Sequence, residues 1–359
     1  MINPKKIRVL IVDDSALSRE VLRAILEEQD DIEVVAEAVN GMEAVQLVQQ
    51  LRPDLVTMDL NMPVMDGLNA IECIMHHKAV PILVVSSETD ASLACKALSY
   101  GALETITKPS VDPEEIAIFL HQVRLLSGIP VITRIARHPS SSNQSLSDHL
   151  ASIVLLTEPK PLDHPIFALA SSTGGPKALA DLLAVLPIDF PAPILVAQHM
   201  SEGFIDGMAH WLSSISLLPV KVAEDNELLE AGKVYLSPSE QHLTITKDYR
   251  VKLKERAKTD IYHPSCDEML SSVAQVFGKE AIGIIMTGMG CDGVAGMTAI
   301  YQQGGITLAQ DEASSVIYGM NAEAVSAGVI HLEIPLNQLA EEMLKILQLK
   351  PATYLALLQ

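Results

Sequence analysis

Short apolar runs alternate with segments of helical period along most of this chain. The first half holds five such runs, Ile7–Val12, Glu33–Ala36, Asp54–Met58, Pro81–Ser86 and Leu103–Thr107, each expected to form a strand. Between the first two, Leu17, Val21, Leu22, Ile25 and Leu26 share one face of a helix. Five such units predict a parallel, doubly wound sheet of five strands with helices on both faces. The alternation lapses after 127, where Arg134, Arg137 and the run His138-Pro-Ser-Ser-Ser-Asn-Gln-Ser take over. Residues 128–163 therefore read as a linker, with a short helix expected around Ser147–Leu156. The pattern resumes at Ile166–Ala170 and continues through Pro193–Gln198, Val220–Ala223, Lys233–Leu236 and Ala281–Thr287, interrupted by hairpin-like segments at His242–Thr246 and Arg250–Lys254. The expected fold is α/β throughout. One domain spans 5–127, and a second doubly wound domain with an antiparallel hairpin spans 164–348.

Length agrees with that division, because 359 residues exceed one ordinary core and suit two. Apolar residues make up 48% and aromatics only 4%, so the cores must be built from Leu, Val, Ile, Ala and Met. No apolar run reaches the roughly 18 residues of a membrane span, and Met1–Arg8 lacks the apolar stretch of a signal peptide, so a cytoplasmic protein without membrane insertion is expected. A net charge of −20 with no basic tail argues against nucleic acid as a partner. Cys73, Cys95, Cys266 and Cys291 show neither metal-ligand spacing nor a disulfide pattern.

Two constellations carry chemistry. In the first half, Asp13 and Asp14 follow the first strand and Asp59 follows the third, which is its neighbour in a sheet of this winding. Three carboxylates meeting there offer hard oxygen ligands to Mg²⁺, and Asp59 is placed to accept a phosphoryl group. Ser86 ends the fourth strand and Lys108 follows the fifth, so a hydroxyl and an ammonium face the same pocket. Each residue alone is an ordinary turn or cap residue. Their coincidence at successive strand ends is what points to phosphoryl chemistry.

In the second half, the run Ala168-Leu-Ala-Ser-Ser-Thr-Gly-Gly-Pro ends a strand in hydroxyls and glycines. A serine nucleophile requires a base, an acid behind that base and backbone donors for the oxyanion. Ser172 precedes Thr173 and a Gly-Gly-Pro turn, His199 closes a strongly apolar strand, and Asp292 sits in Met286-Thr-Gly-Met-Gly-Cys-Asp-Gly. A phosphate-cradling loop is the alternative for Ser172, although the P-loop and dinucleotide signatures are missing. Taken singly, His199 also reads as a core histidine and Asp292 as a turn acid. Ser265 and Asp267 read as a helix cap with an acid in the first turn.

The first half resembles the response-regulator receiver family through Val12-Asp-Asp-Ser, Met58-Asp-Leu-Asn-Met-Pro-Val-Met-Asp-Gly, Val84-Val-Ser-Ser and Thr107-Lys-Pro. That resemblance implies an aspartyl-phosphate on Asp59 donated by a histidine kinase, Mg²⁺ as cofactor, and a metal contact from the Asn61 carbonyl. Thr105 stands where many receivers carry an aromatic switch residue. The second half is similar to the chemotaxis protein-glutamate methylesterase family, CheB, through Ser172-Thr-Gly-Gly-Pro, Gln198-His-Met, Pro264-Ser-Cys-Asp, Met286-Thr-Gly-Met-Gly-Cys-Asp-Gly and Asp311-Glu-Ala-Ser-Ser-Val-Ile-Tyr-Gly-Met. The resemblance implies hydrolysis of glutamyl methyl esters, and deamidation of glutamines, on chemoreceptors. It also implies that Ser172 is the nucleophile, His199 the base and Asp292 its orienting partner. Thr173 and Met289 would line the site, with the Met289 backbone donating to the oxyanion. No cofactor is implied for the esterase, and the unphosphorylated receiver would cover it.

The chain departs from that family at Ala170-Ser171, which puts a second serine beside the nucleophile, and at Trp211, His263 and Ala322, where arginines are common. Fewer cations should alter docking to acidic receptor helices. A catalytically silent adaptor is one rival reading. A DNA-binding regulator is another, and the acidic output half without a basic recognition helix argues against it.

Overall fold

The computed structural model describes residues 5–86, 91–131, 165–257, 260 and 262–358. The expected linker lies almost entirely outside the described residues, as does the helix expected at Ser147–Leu156.

The first sheet is built from β1 (Ile7–Val12), β2 (Ile32–Ala38), β3 (Leu55–Met58), β4 (Ile82–Ser86) and β5 (Glu104–Thr107), in spatial order β2-β1-β3-β4-β5. All its pairings are parallel. Helices α1 (Ala16–Glu27), α2 (Gly41–Leu51), α3 (Gly67–His77), α4 (Ala91–Tyr100) and α5 (Pro113–Leu126) supply the crossovers. Residues such as Val9, Leu10 and Ile11 are fully buried, which explains the near-continuous apolar runs of a sheet covered on both faces. Because β1 and β3 are adjacent, the loops leaving them open at one carboxyl edge.

The second sheet has seven strands: β6 (Ile166–Ser171), β7 (Ile194–Gln198), β8 (Val220–Val222), β9 (Val234–Leu236), β12 (Ala281–Ile285), β13 (Ile306–Gln310) and β14 (Leu332–Ile334). Its order is β14-β13-β12-β6-β7-β9-β8, again parallel throughout. The hairpin is β10 (Gln241–Ile245) with β11 (Val251–Glu255), paired antiparallel as expected. Strands β13 and β14 extend the sheet beyond the expected set. Strand β14 is only three residues long, too short for a periodic signal, whereas β13 is fully buried and nearly as apolar as β7. The helices are α6 (Gly175–Leu183), α7 (Ile205–Ile215), α8 (Cys266–Phe277), α9 (Val294–Gln302), α10 (Met320–Ser326), α11 (Leu336–Leu349) and α12 (Pro351–Leu358).

The chain runs from β6 toward β7 on one side and later returns to β12 on the other, so β6 sits where the winding reverses. Crevices at such reversals bind ligands in doubly wound sheets. One apolar cluster joins the two halves, containing Cys95 and Leu98 of α4 together with Met208 and Leu212 of α7. The Cys95 Sγ lies 4.0 Å from the Phe204 carbonyl at the start of α7. The first half thus shares buried surface with the second half.

Candidate active site

At the carboxyl edge of the first sheet, Asp13 and Asp59 are buried and Asp14 is exposed, with carboxylate oxygens of all three within 4.8 Å of one another. The Lys108 Nζ stands 2.7 Å from Asp13 Oδ2 and 3.1 Å from Asp59 Oδ2. Burial pushes the Asp59 carboxyl up from its ordinary range, and the Lys108 ammonium partly opposes this. The Leu60 N–H donates to Asp59 Oδ1 at 2.8 Å, fixing the carboxylate. Ser86 is fully buried at the end of β4, and its carbonyl accepts from the Lys108 N–H at 2.9 Å. Asn61 is exposed in the loop that follows β3. Asp13, Asp14, Asp59 and Lys108 come together here with Ser86 at the end of the adjacent strand, and the hard, anionic donor set fits a divalent cation.

The second site begins where β6 ends. Ser171 still belongs to the strand, is fully buried, and donates to Gln198 Oε1 at 2.7 Å. Ser172 has left the sheet, its N–H donating to the Thr287 carbonyl at 3.0 Å. The adjacent serines therefore differ in what they face. Gly174 has φ +80° and precedes α6, which has Pro176 in its first turn. A Cβ on Gly175 would lie 2.0 Å from Gln198 Oε1, so the tight packing under the loop requires glycine.

His199 follows β7 directly, and Asp292 lies in the loop between β12 and α9. Its Nε2 lies 2.7 Å from Asp292 Oδ2, which leaves Nδ1 as the nitrogen for a hydroxyl. The imidazole also stacks on Tyr262, with centroids 5.2 Å apart and planes 12° from parallel. Asp292 is buried and accepts N–H bonds from Cys266 at 2.6 Å and Asp267 at 3.0 Å, both at the start of α8. Burial pushes its carboxyl up, but the bond to His199 and the α8 amides outweigh that and hold it below its ordinary value. A carboxylate kept ionised beside an imidazole can orient the ring and stabilise the imidazolium.

Ser172, Thr173, His199 and Met289 line one cavity of about 800 Å³. Its other wall comes from the first half, where Glu104, Thr105 and Thr107 of β5 and Glu115 and Phe119 of α5 face it. The Glu104 side chain is buried, accepts a hydrogen bond from Thr173, and is pushed up to about 7 by loss of solvent. Burial, with a smaller contribution from the nearby Glu104 carboxylate, raises the Cys95 thiol to about 12.

Residue pattern missed several supports. Thr287 Oγ1 donates to the Thr173 carbonyl at 2.9 Å, and Gln310 Oε1 accepts from the Thr287 N–H at 2.9 Å. The segment after Asp311 braces the same loop, since the Gly288 carbonyl accepts from Gly319 and Met320. Ser265 caps α8 and Asp267 lies in its first turn as expected, yet both also touch the loop that carries Asp292. Of the three positions without arginine, Trp211 is buried on α7, His263 lines the cavity and Ala322 lies on α10.

Residues 167–343 match the family described as CheB methylesterase, and residues 9–120 match the response regulator receiver domain. A protein-glutamate methylesterase/protein-glutamine glutaminase from Paramagnetospirillum magneticum is 51% identical across 95% of this chain and 96% of its own length. The chain belongs to the CheB family. A Pyrococcus horikoshii protein of the same description is 36% identical over 96% of this chain and 95% of its own. The Thermotoga maritima CheB methylesterase catalytic domain aligns along its full length with 52% of this chain, at 34% identity and a TM-score of 0.50. This CheB-family chain is a response regulator whose output is a phosphorylation-controlled methylesterase and glutaminase. The silent adaptor is not favoured. No helix among the described residues is long and apolar enough to cross a membrane.

Proposed function

We propose that Ser172, His199 and Asp292 are the catalytic triad of this enzyme, acting on glutamyl methyl esters of chemoreceptors. The observation that carries this reading is that Ser172 and His199 open on one cavity while Asp292 holds the imidazole from behind. The Ser172 hydroxyl attacks the ester carbonyl as His199 takes its proton. The tetrahedral oxyanion is held by backbone N–H groups of the loops that carry Thr173 and Met289. Collapse expels methanol, which receives the proton from His199, and water then hydrolyses the acyl-enzyme by the same route. A glutamine side chain passes through the same steps and releases ammonia.

Asp59 is the phosphoryl acceptor, with a chemotaxis histidine kinase as donor. Asp13, Asp14, Asp59 and the Asn61 carbonyl would hold Mg²⁺, which supplies charge neutralisation for the incoming phosphoryl group. Ser86 and Lys108 contact that group. The domains comprise 5–127 and 164–348, joined by a linker at 128–163, and the protein works in the cytoplasm, where its kinase and the methylated receptor helices are reached. Unphosphorylated, the β5 and α5 face shuts the cavity, and phosphorylation loosens it. His263 in the cavity wall, with Trp211 buried, gives this chain a receptor preference unlike that of relatives with arginines there.

Methanol release from a methylated receptor, measured with and without a phosphodonor, tests the reading. Ser172→Ala should abolish release and reaction with a fluorophosphonate probe. Activity surviving unchanged in that variant would overturn it.

A further inference from the structure

Behind the Asp292 carboxylate, away from His199, lies a second carboxylate–imidazole pair. His242 on β10 is almost fully buried, and its Nε2 lies 2.9 Å from Asp260 Oδ2. The Asp260 carboxylate is itself fixed by the Ala257 N–H at 2.8 Å. On the other side of the ring, Nδ1 accepts the Ser265 N–H at 2.9 Å. An amide N–H can only donate, so Nδ1 carries no proton, and the ring proton on Nε2 points to Asp260. The ring orientation and tautomer are thus set from both sides.

Ser265 passes this order forward. Its hydroxyl oxygen accepts the Glu268 N–H at 3.3 Å as the cap of α8, which directs its single proton to Asp292 Oδ1 at 3.1 Å. The two following amides, Cys266 and Asp267, donate to the same carboxylate. Three of the four donors that seat Asp292 therefore belong to the residues at the start of α8, which His242 anchors by the Ser265 backbone. The fourth is His199.

We propose that Asp260 and His242 are positioning residues for the triad, holding the first turn of α8 through Ser265 so that Asp292 presents its carboxylate to His199. This inference rests on the triad reading. The linkage touches no substrate, and its effect is confined to the alignment of Asp292 and His199. Misplacement by about an ångström costs on the order of a hundredfold in rate, so small rotations of the cap are sufficient to matter.

The test compares two substitutions in the full chain under saturating phosphodonor, with kcat and KM measured by methanol release. His242→Asn keeps an acceptor near the Nδ1 position for the Ser265 N–H, whereas His242→Gln keeps only the donor toward Asp260. The expected result is a kcat loss on the order of tenfold or more in His242→Gln with KM within about twofold, and substantial recovery in His242→Asn. Asp260→Ala, at a partly exposed position, should lower kcat in the same sense and covers the case in which His242→Gln fails to fold. Equal kcat in wild type, His242→Gln and Asp260→Ala would overturn the proposal, as would a loss confined to KM. Fluorophosphonate labelling of wild type at Ser172 separates the two readings: its failure refutes the triad, whereas normal labelling with an unaffected variant series refutes only the positioning role.

Discussion

Glu104 offers a direct probe of how the two halves of the protein hold each other. Its carboxyl sits between β5 and the loop that carries Thr173, and its pKa rises from an ordinary 4.5 to about 7 because burial removes water from the charged form. Separating the halves returns it to solvent. The closed arrangement therefore keeps a proton that the open one releases once the pH passes 4.5. Closure is unpenalised below that value, weakens as pH rises through the window, and above 7 carries the whole cost of about 3 kcal/mol, at roughly 1.36 kcal/mol for each pH unit. Between pH 6 and 8 the change is on the order of 1 kcal/mol, several-fold to tenfold in the open fraction. The assay is methanol release at each pH, expressed as the ratio of unphosphorylated to phosphodonor-saturated activity, which cancels the pH dependence of the chemistry. That ratio should rise several-fold to tenfold from pH 6 to 8 in wild type and stay nearly flat in Glu104→Gln, which cannot ionise. A ratio that climbs as steeply in Glu104→Gln as in wild type refutes the reasoning.

Other expectations follow from the same geometry. Ser171→Ala should retain fluorophosphonate labelling while lowering stability by about 1 kcal/mol in urea titration, because Gln198 Oε1 loses its buried donor. Asp292→Asn should lower kcat by roughly three to four orders of magnitude with little change in KM, since an amide cannot stabilise the imidazolium; a loss under tenfold would contradict the triad. Asp59→Asn should remove the increase in methanol release that a small-molecule phosphodonor causes, and a persisting increase would place the acceptor elsewhere. Gly175→Ala should lower stability by about 1–3 kcal/mol in urea titration, because the new Cβ meets Gln198 Oε1 at 2.0 Å and Ser171 Cβ at 2.8 Å.

Strand ends were legible because burial on both faces leaves an unbroken apolar run whose last residue is visible. Asp13, Asp59, Ser86, Ser172 and His199 all stand at such ends, whereas Lys108 follows β5, whose Glu104-Thr-Ile-Thr is mostly polar. Asp292 was harder, since it lies well beyond the last residue of β12, Ile285. The pairing of Ser265 and Asp267 with the Asp292 loop had no local signal, because a helix cap reads the same whether its free side meets solvent or a catalytic carboxylate. Tyr262 was missed for a similar reason, as a single aromatic in a loop carries no period. The contact between β5 and Thr173 is tertiary and follows from the joint packing of α4 and α7, which neither helix pattern encodes alone.

The reversal of winding at β6 also bears on the birth of the protein. Strand β6 pairs with β12, so that Ile166 meets Ala281 across more than a hundred intervening residues. Non-local parallel pairing of this kind forms slowly, and during synthesis it waits until both strands have left the ribosome. On the proposed triad, a nascent chain displays Ser172 and His199 long before Asp292 is made, and it has no hydrolytic power while the receiver, made first, is already able to fold. Esterase activity is acquired last, after the domain that restrains it.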